Sequence, residues 1–198
     1  MEAMNSVLFG LINGSDQSPQ YLQFLGFIGA NAAPFIALLV IAIYWVVAHD
    51  KRGPTRVVIR AVVAATLGLG VNQVIGWLWF HPRPFMIGLG HQLITHAPDS
   101  SFPSDHATLI FSMALAFMLD GPTRIWAAIL MVVGLFCAWA RVFAGIHFPI
   151  DMAGSLLVAC AVVLPASLAT QTGIHYALPF LSRIGLGGAP TTDRASGQ

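Results

Sequence analysis

Apolar residues run in long blocks separated by short polar ones along most of this 198-residue chain. Crossing the hydrocarbon of a bilayer takes about 20 mostly apolar residues in helical conformation. Four stretches meet that length, at about 22–48, 57–80, 124–144 and 150–170. A fifth, "SDHATLIFSMALAFML" at 104–119, is shorter and opens polar. It still reads as a spanning helix, because Pro103-Ser104 is a favourable start and Gly121-Pro122 a clear stop. The pattern predicts an all-α polytopic membrane bundle of about five spans. Residues 3–13, "AMNSVLFGLIN", are too short to cross and precede the polar "GSDQSPQ", which predicts a helix lying in the membrane interface. The end of the chain, "GLGGAPTTDRASGQ", is small and polar. The expected organisation is one membrane-embedded domain over 1–184 and a disordered cytoplasmic tail over 185–198.

Composition agrees with the pattern. Hydrophobic side chains make up 57% of the chain and charged ones 9%, whereas a soluble domain carries roughly a quarter charged residues. A formal net charge of +1 gives no electrostatic footprint for nucleic acid. The two cysteines, Cys137 and Cys160, fall inside apolar stretches, where thiols behave as small hydrophobes and no disulfide is expected.

The placement of charge predicts orientation. Lys51, Arg52, Arg56 and Arg60 crowd the first connection, Arg124 opens the fourth span, and Arg183 and Arg194 lie near the end of the chain. By the positive-inside rule these mark the cytoplasmic side, so the N-terminus is expected outside and the C-terminus inside. Arg83 and Arg141 break the rule by falling in the outer connections.

Those connections also collect the chemistry. "HPRPFMIGLGHQLITHAPDSSFPSD" at 81–105 and "RVFAGIHFPID" at 141–151 together carry His81, Arg83, His91, His96, Asp99, Ser104, Asp105, Arg141, His147 and Asp151, with His106 adjoining. Ionisable groups near hydrocarbon are costly and usually mark a function. Two arginines can grip phosphate oxygens bidentately, and the helix start at Ser104 offers backbone N–H groups to an anion. His147 and Asp151 are suitably spaced for a carboxylate to fix the imidazole tautomer of a nucleophile, if the chain turns into helix at Pro149. His106 is then free to protonate a leaving oxygen. The sum is phosphoryl transfer through a phosphohistidine. A metal is the competing chemistry, but no histidines show paired ligand spacing on a helix and arginines would repel a cation. No metal and no cofactor are expected.

At these residues the chain resembles the type 2 phosphatidic acid phosphatase (PAP2) superfamily, whose signature is K-x6-RP, then PSGH, then SR-x5-H-x3-D. The corresponding blocks here are "GWLWFHPRP" (76–84), "PSDH" (103–106) and "ARVFAGIHFPID" (140–151). The resemblance implies a catalytic nucleophile at His147, its partner at Asp151, an acid and later base at His106, and phosphate ligands at Arg83, Ser104 and Arg141. Three positions depart from the signature: Gly76 stands at the lysine position, Asp105 at the glycine and Ala140 at the serine. Asp105 puts a carboxylate beside His106, where it is expected to orient Arg83 or Arg141, to support the protonated form of His106, or simply to favour the first helical turn. "FHPRPF" followed by "HAPDSSFPSDHAT" resembles the bacterial undecaprenyl-diphosphatase (BcrC-type) branch. That implies hydrolysis of undecaprenyl diphosphate to the monophosphate, with carrier-lipid recycling for cell-wall synthesis and bacitracin resistance; with the charge placement, the active site is expected to face the periplasm across the bacterial inner membrane. Rival expectations are a phosphotransferase of the same fold with a lipid acceptor, a phosphatidylglycerophosphate or phosphatidate phosphatase, and a non-enzymatic lipid or anion transporter.

Overall fold

The computed structural model describes residues 2–48 and 54–183. Among them the regular structure is entirely helical. Helix α1 covers Glu2–Ile12, α2 Gln20–Ala48, α3 Pro54–Leu78, α4 Asp105–Met118, α5 Arg124–Phe143 and α6 Pro149–Arg183. The segment expected to be disordered, 185–198, lies outside the described residues.

Four of these helices, α2, α3, α5 and α6, are long and apolar enough to cross a membrane. The fifth expected span, α4, is shorter than a crossing requires. Its 14 residues extend about 21 Å at 1.5 Å per residue, against a hydrocarbon core of about 30 Å. Its place in the bundle explains how that length suffices. Nine of its residues are buried, including Ile110, Phe111, Ala114 and Phe117, and it packs on α3, α5 and α6. Protein rather than lipid surrounds the short helix.

Small residues bring the helices close. On α2, Gly26, Gly29, Ala30, Ala33 and Ala37 form a buried stripe, the spacing that lets helix backbones approach in a membrane. A Cβ on Gly29 would stand 2.6 Å from that of Ala140 on α5. The closeness has a polar use, because Nη1 of Arg141 donates to the carbonyl of Ala30 at 3.0 Å across this contact.

Helix α1 buries Phe9 against Phe148, with ring centroids 5.4 Å apart, while Met4, Val7, Leu8 and Leu11 stay exposed. One apolar face thus meets protein and another is left outward, the division expected of an interfacial helix. Just after it, the Asn13 amide ties two connections together. Its Nδ2 donates to the carbonyls of His91 (2.9 Å) and Phe143 (3.1 Å), and its Oδ1 accepts the His91 N–H at 2.7 Å. At the opposite end of the bundle, buried Arg60 of α3 pairs with Asp120 beyond α4. The long connection 79–104 and the short one 144–148 meet at the Asn13 end.

Candidate active site

The site grows out of the first turn of α6. Pro149 at the helix start has the backbone angle that turn needs. Asp151 folds its carboxylate back so that Oδ2 accepts the N–H of Phe148 at 2.8 Å, the backward-reaching half of a capping box. The same oxygen accepts Nδ1–H of His147 at 3.1 Å and the hydroxyl of Ser101. Gly145 makes the approach possible. Its φ is +78°, and a Cβ there would lie 2.1 Å from the carbonyl oxygen of His91, so only glycine fits the turn from α5 into His147.

Both arginines converge on the other ring nitrogen. Nη1 of Arg83 lies 3.0 Å, and Nη2 of Arg141 3.2 Å, from Nε2 of His147. A guanidinium can only donate, so Nε2 presents its lone pair and the proton sits on Nδ1, toward Asp151. Arg83, Arg141, His147 and Asp151 are 4%, 3%, 1% and 0% exposed, a depth at which charges need specific partners. Burial first, then Arg141 and Arg83, hold the His147 imidazole well below its ordinary pKa, which keeps it neutral.

The other donors of the pair have their own acceptors, except Nε of Arg141, which is buried without a partner. Arg83 gives Nε to Asp99 (2.8 Å), Nη1 also to the carbonyl of Ile146 (2.9 Å) and Nη2 to that of Ser100 (3.2 Å). Nη2 of Arg141 also meets Nε2 of His96 at 3.2 Å, while the other nitrogen of His96 donates to the carbonyl of Ala97 at 3.1 Å. Burial lowers the His96 pKa and the two guanidinium groups add to the effect. His96 therefore acts as a neutral acceptor. The arginine pair is fixed by loop carbonyls, a loop histidine and a loop carboxylate.

A cavity of about 510 Å³ opens onto this cluster, walled by Arg83, His96, Asp105, His106, Arg141 and His147, with Trp77, Phe80 and Phe102 among its apolar members. His106 joins the group through the first turn of α4. Ser104 does not line the cavity. It is fully buried, its N–H donates to Ser155 Oγ at 2.9 Å, and its own hydroxyl has no partner. Asp105 touches neither arginine. Its two oxygens accept from Asn72 Nδ2 (2.8 Å) and Gln73 Nε2 (3.1 Å), tying the start of α4 to α3. Gly76, on the same wall, leaves room for a side chain, since an added Cβ would meet only Ser100, at 3.5 Å. His91 turns away to Asp16 at 3.1 Å. Among the described residues no group of three or more His, Cys, Asp or Glu is placed to hold a metal, and the donor set facing the cavity is one for an anion.

Sequence reasoning missed Ser101, which shares Asp151 with His147, and the pair Asn72 and Gln73. The latter left a signal, two adjacent amides in the otherwise apolar second half of α3, where polar side chains are costly unless used.

The family model described as the PAP2 superfamily matches residues 57–174. YbjG of Escherichia coli (strain K12) is 35% identical over 178 residues, 88% of this chain and 87% of that one. The undecaprenyl-diphosphatase BcrC of Bacillus subtilis (strain 168) is 34% identical over 157 residues, 79% of each chain. Among solved structures, LpxE of Aquifex aeolicus superposes with a TM-score of 0.62 at 23% identity, covering 82% of this chain and 94% of its own. A PAP2-type phosphatidylglycerolphosphate phosphatase of Bacillus subtilis gives 0.60 at 14% identity, with 86% of each chain covered. The helix arrangement is thus that of membrane PAP2 phosphatases, and the family match spans four of the six helices, with relatives above 30% identity extending it over most of the chain. This multi-pass membrane protein belongs to the PAP2 superfamily.

Proposed function

We propose that this chain is a lipid diphosphate phosphatase that hydrolyses undecaprenyl diphosphate to undecaprenyl phosphate and phosphate through a phosphohistidine. The observation that carries the reading is the His147 ring. Nδ1–H is held by Asp151 while the lone pair of Nε2 faces two guanidinium groups on the wall of a cavity. An incoming terminal phosphate takes over the arginine donors and meets Nε2. The N–P bond forms as the anhydride P–O bond breaks, the lipid phosphate leaves, and His106 gives it a proton. Water then attacks phosphorus, His106 takes a proton from it, the N–P bond breaks and His147 is regenerated. The arginines neutralise charge gathering on the phosphoryl oxygens, so a metal is not required. Ser104, expected as a further phosphate ligand, reaches the phosphate only if the start of α4 shifts, because its hydroxyl is buried and off the cavity wall.

The substrate class is supported by the name carried by the Bacillus subtilis relative and by leaving-group chemistry. A lipid monophosphate leaves readily, so fewer phosphate ligands suffice and Gly76 need not carry a cation. The reading extends to location. The domain over 1–184 sits in the bacterial cytoplasmic membrane with the cavity facing the periplasm, where it returns carrier lipid to cell-wall synthesis and contributes to bacitracin resistance.

Phosphate release by purified protein in detergent with EDTA present, from a panel of lipid monophosphates and diphosphates, tests the reading. Turnover highest on the polyprenyl diphosphate is expected, with an acid-labile, base-stable phosphoenzyme that His147→Ala lacks. Retention of more than about a tenth of the activity by that variant overturns the covalent scheme. Loss in EDTA restored by one divalent ion overturns the metal-free one.

A further inference from the structure

The Asp151 carboxylate is unevenly used. Oδ2 carries three donors, from His147, Ser101 and the Phe148 backbone. Oδ1 has none, although the side chain is 0% exposed. A buried carboxylate oxygen without a donor is costly, and such groups call for an explanation. The atom facing it supplies one. Nδ1 of His81 stands 3.9 Å away, also buried and also without a partner.

We infer that His81 is a positioning residue, which closes onto Oδ1 of Asp151 and holds the carboxylate plane so that Oδ2 stays aimed at His147; the inference rests on His147 as the nucleophile. The His81 ring is set for this. It packs against Trp79 at 5.3 Å and edge-on against Phe148 at 5.6 Å, between centroids. Its backbone is fastened at both ends to the segment that carries Ser101: its N–H donates to Ser100 Oγ at 3.2 Å and its carbonyl accepts the Ser101 N–H at 2.7 Å. A small rotation of the ring, with Nδ1 protonated, brings the pair from 3.9 Å to a hydrogen-bond separation of about 3 Å. Asp151 is then clasped from two sides, by Ser101 and His147 on one oxygen and by His81 on the other. The orientation matters most once His147 carries the phosphoryl group, because the ring is then positively charged and the carboxylate beside it has to stay in register through the second half-reaction.

Three substitutions in the full chain, assayed in detergent on farnesyl diphosphate, decide the matter. Asparagine places an amide N–H where Nδ1 of histidine sits, glutamine places it nearer Nε2, and alanine removes the donor. We expect His81→Ala to lower kcat about tenfold with KM within about twofold, His81→Asn to recover to within about threefold of the parent, and His81→Gln to stay low. Parent-like kcat in all three, equal loss in Ala and Asn, or a raised KM at unchanged kcat overturns the inference. Thermal midpoints separate misfolding from misplacement, and if the alanine variant does not fold, the contrast of Asn with Gln decides alone. His147→Ala, run alongside, separates the two levels: if it turns over like the parent, the nucleophile assignment falls and this inference with it. If it is inactive while the His81 variants are parent-like, only the role of His81 falls.

Discussion

Nη1 of Arg83 stands 3.0 Å from Nε2 of His147, so the guanidinium proposed to bind phosphate rests on the atom proposed as nucleophile. Under the proposed mechanism substrate binding and activation become one event, since a phosphate oxygen that attracts the guanidinium also uncovers the lone pair. Arg83 does this while anchored by Asp99 and by the carbonyls of Ile146 and Ser100.

Arg83→Lys should therefore behave as a disabling change. An ammonium cannot span four acceptors set around a planar fork, and we expect kcat/KM to fall about 10²- to 10³-fold, with a lowered thermal midpoint because acceptors around the buried guanidinium lose their donors. Steady-state kinetics beside a thermal melt check this, and near-parent kcat/KM would mean that charge alone is needed at the position.

The lowered pKa of His147 gives a pH prediction with a definite sign. Its ring stays neutral below the ordinary value of 6.5, so the acid limb of kcat/KM due to this group lies well under that pH. Arg141→Gln removes one of the cations that hold the pKa down, and the acid limb should move to higher pH. The unfolded chain protonates the ring near 6.5 while the folded chain does not, so stability should decline as pH falls below that value. An unmoved acid limb in Arg141→Gln would show that another group sets it.

Gly145→Ala tests the turn that delivers His147. The positive φ and the 2.1 Å clash with the His91 carbonyl leave no relaxed solution for a Cβ. We expect a loss of about 2–3 kcal/mol of stability and a larger proportional loss of activity. Parent-like melting and turnover would place the backbone elsewhere than described here.

How much of this was legible beforehand depends on distance along the chain. The long helices were, because their apolar runs match bilayer thickness. The pairing of His147 with Asp151 was also legible, because a four-residue offset across Pro149 leaves few geometries. Contacts made between connections were not. His96 and Asp99 occupy the arginines, and Ser101 shares Asp151 from fifty residues away, through packing that no local spacing encodes. Of the roles expected of Asp105, orienting an arginine met a competing partner: its oxygens are taken by the amides of Asn72 and Gln73 on the facing helix. The 104–119 stretch was expected to span although short, and the 14 residues of α4 are tolerated inside the bundle because burial within protein relaxes the requirement that lipid imposes.

The amide tether at Asp105 leads to its own expectation. Asp105→Gly removes a negative charge from an anion cavity and unties α4 from α3 one residue before His106. KM for a diphosphate should fall several-fold and kcat should fall with it, while stability falls by about 1–2 kcal/mol, since buried Asn72 loses one acceptor but keeps Thr108. Unchanged kcat and KM would leave Asp105 only its place in the first helical turn.

Asn13 joins sites that are synthesised far apart. Its partners His91 and Phe143 follow it by 78 and 130 residues, so its side-chain amide emerges from the ribosome long before either loop exists. The amide can therefore make its join only after α5 has been synthesised, and a substitution at Asn13 frees the His91 and Phe143 carbonyls together.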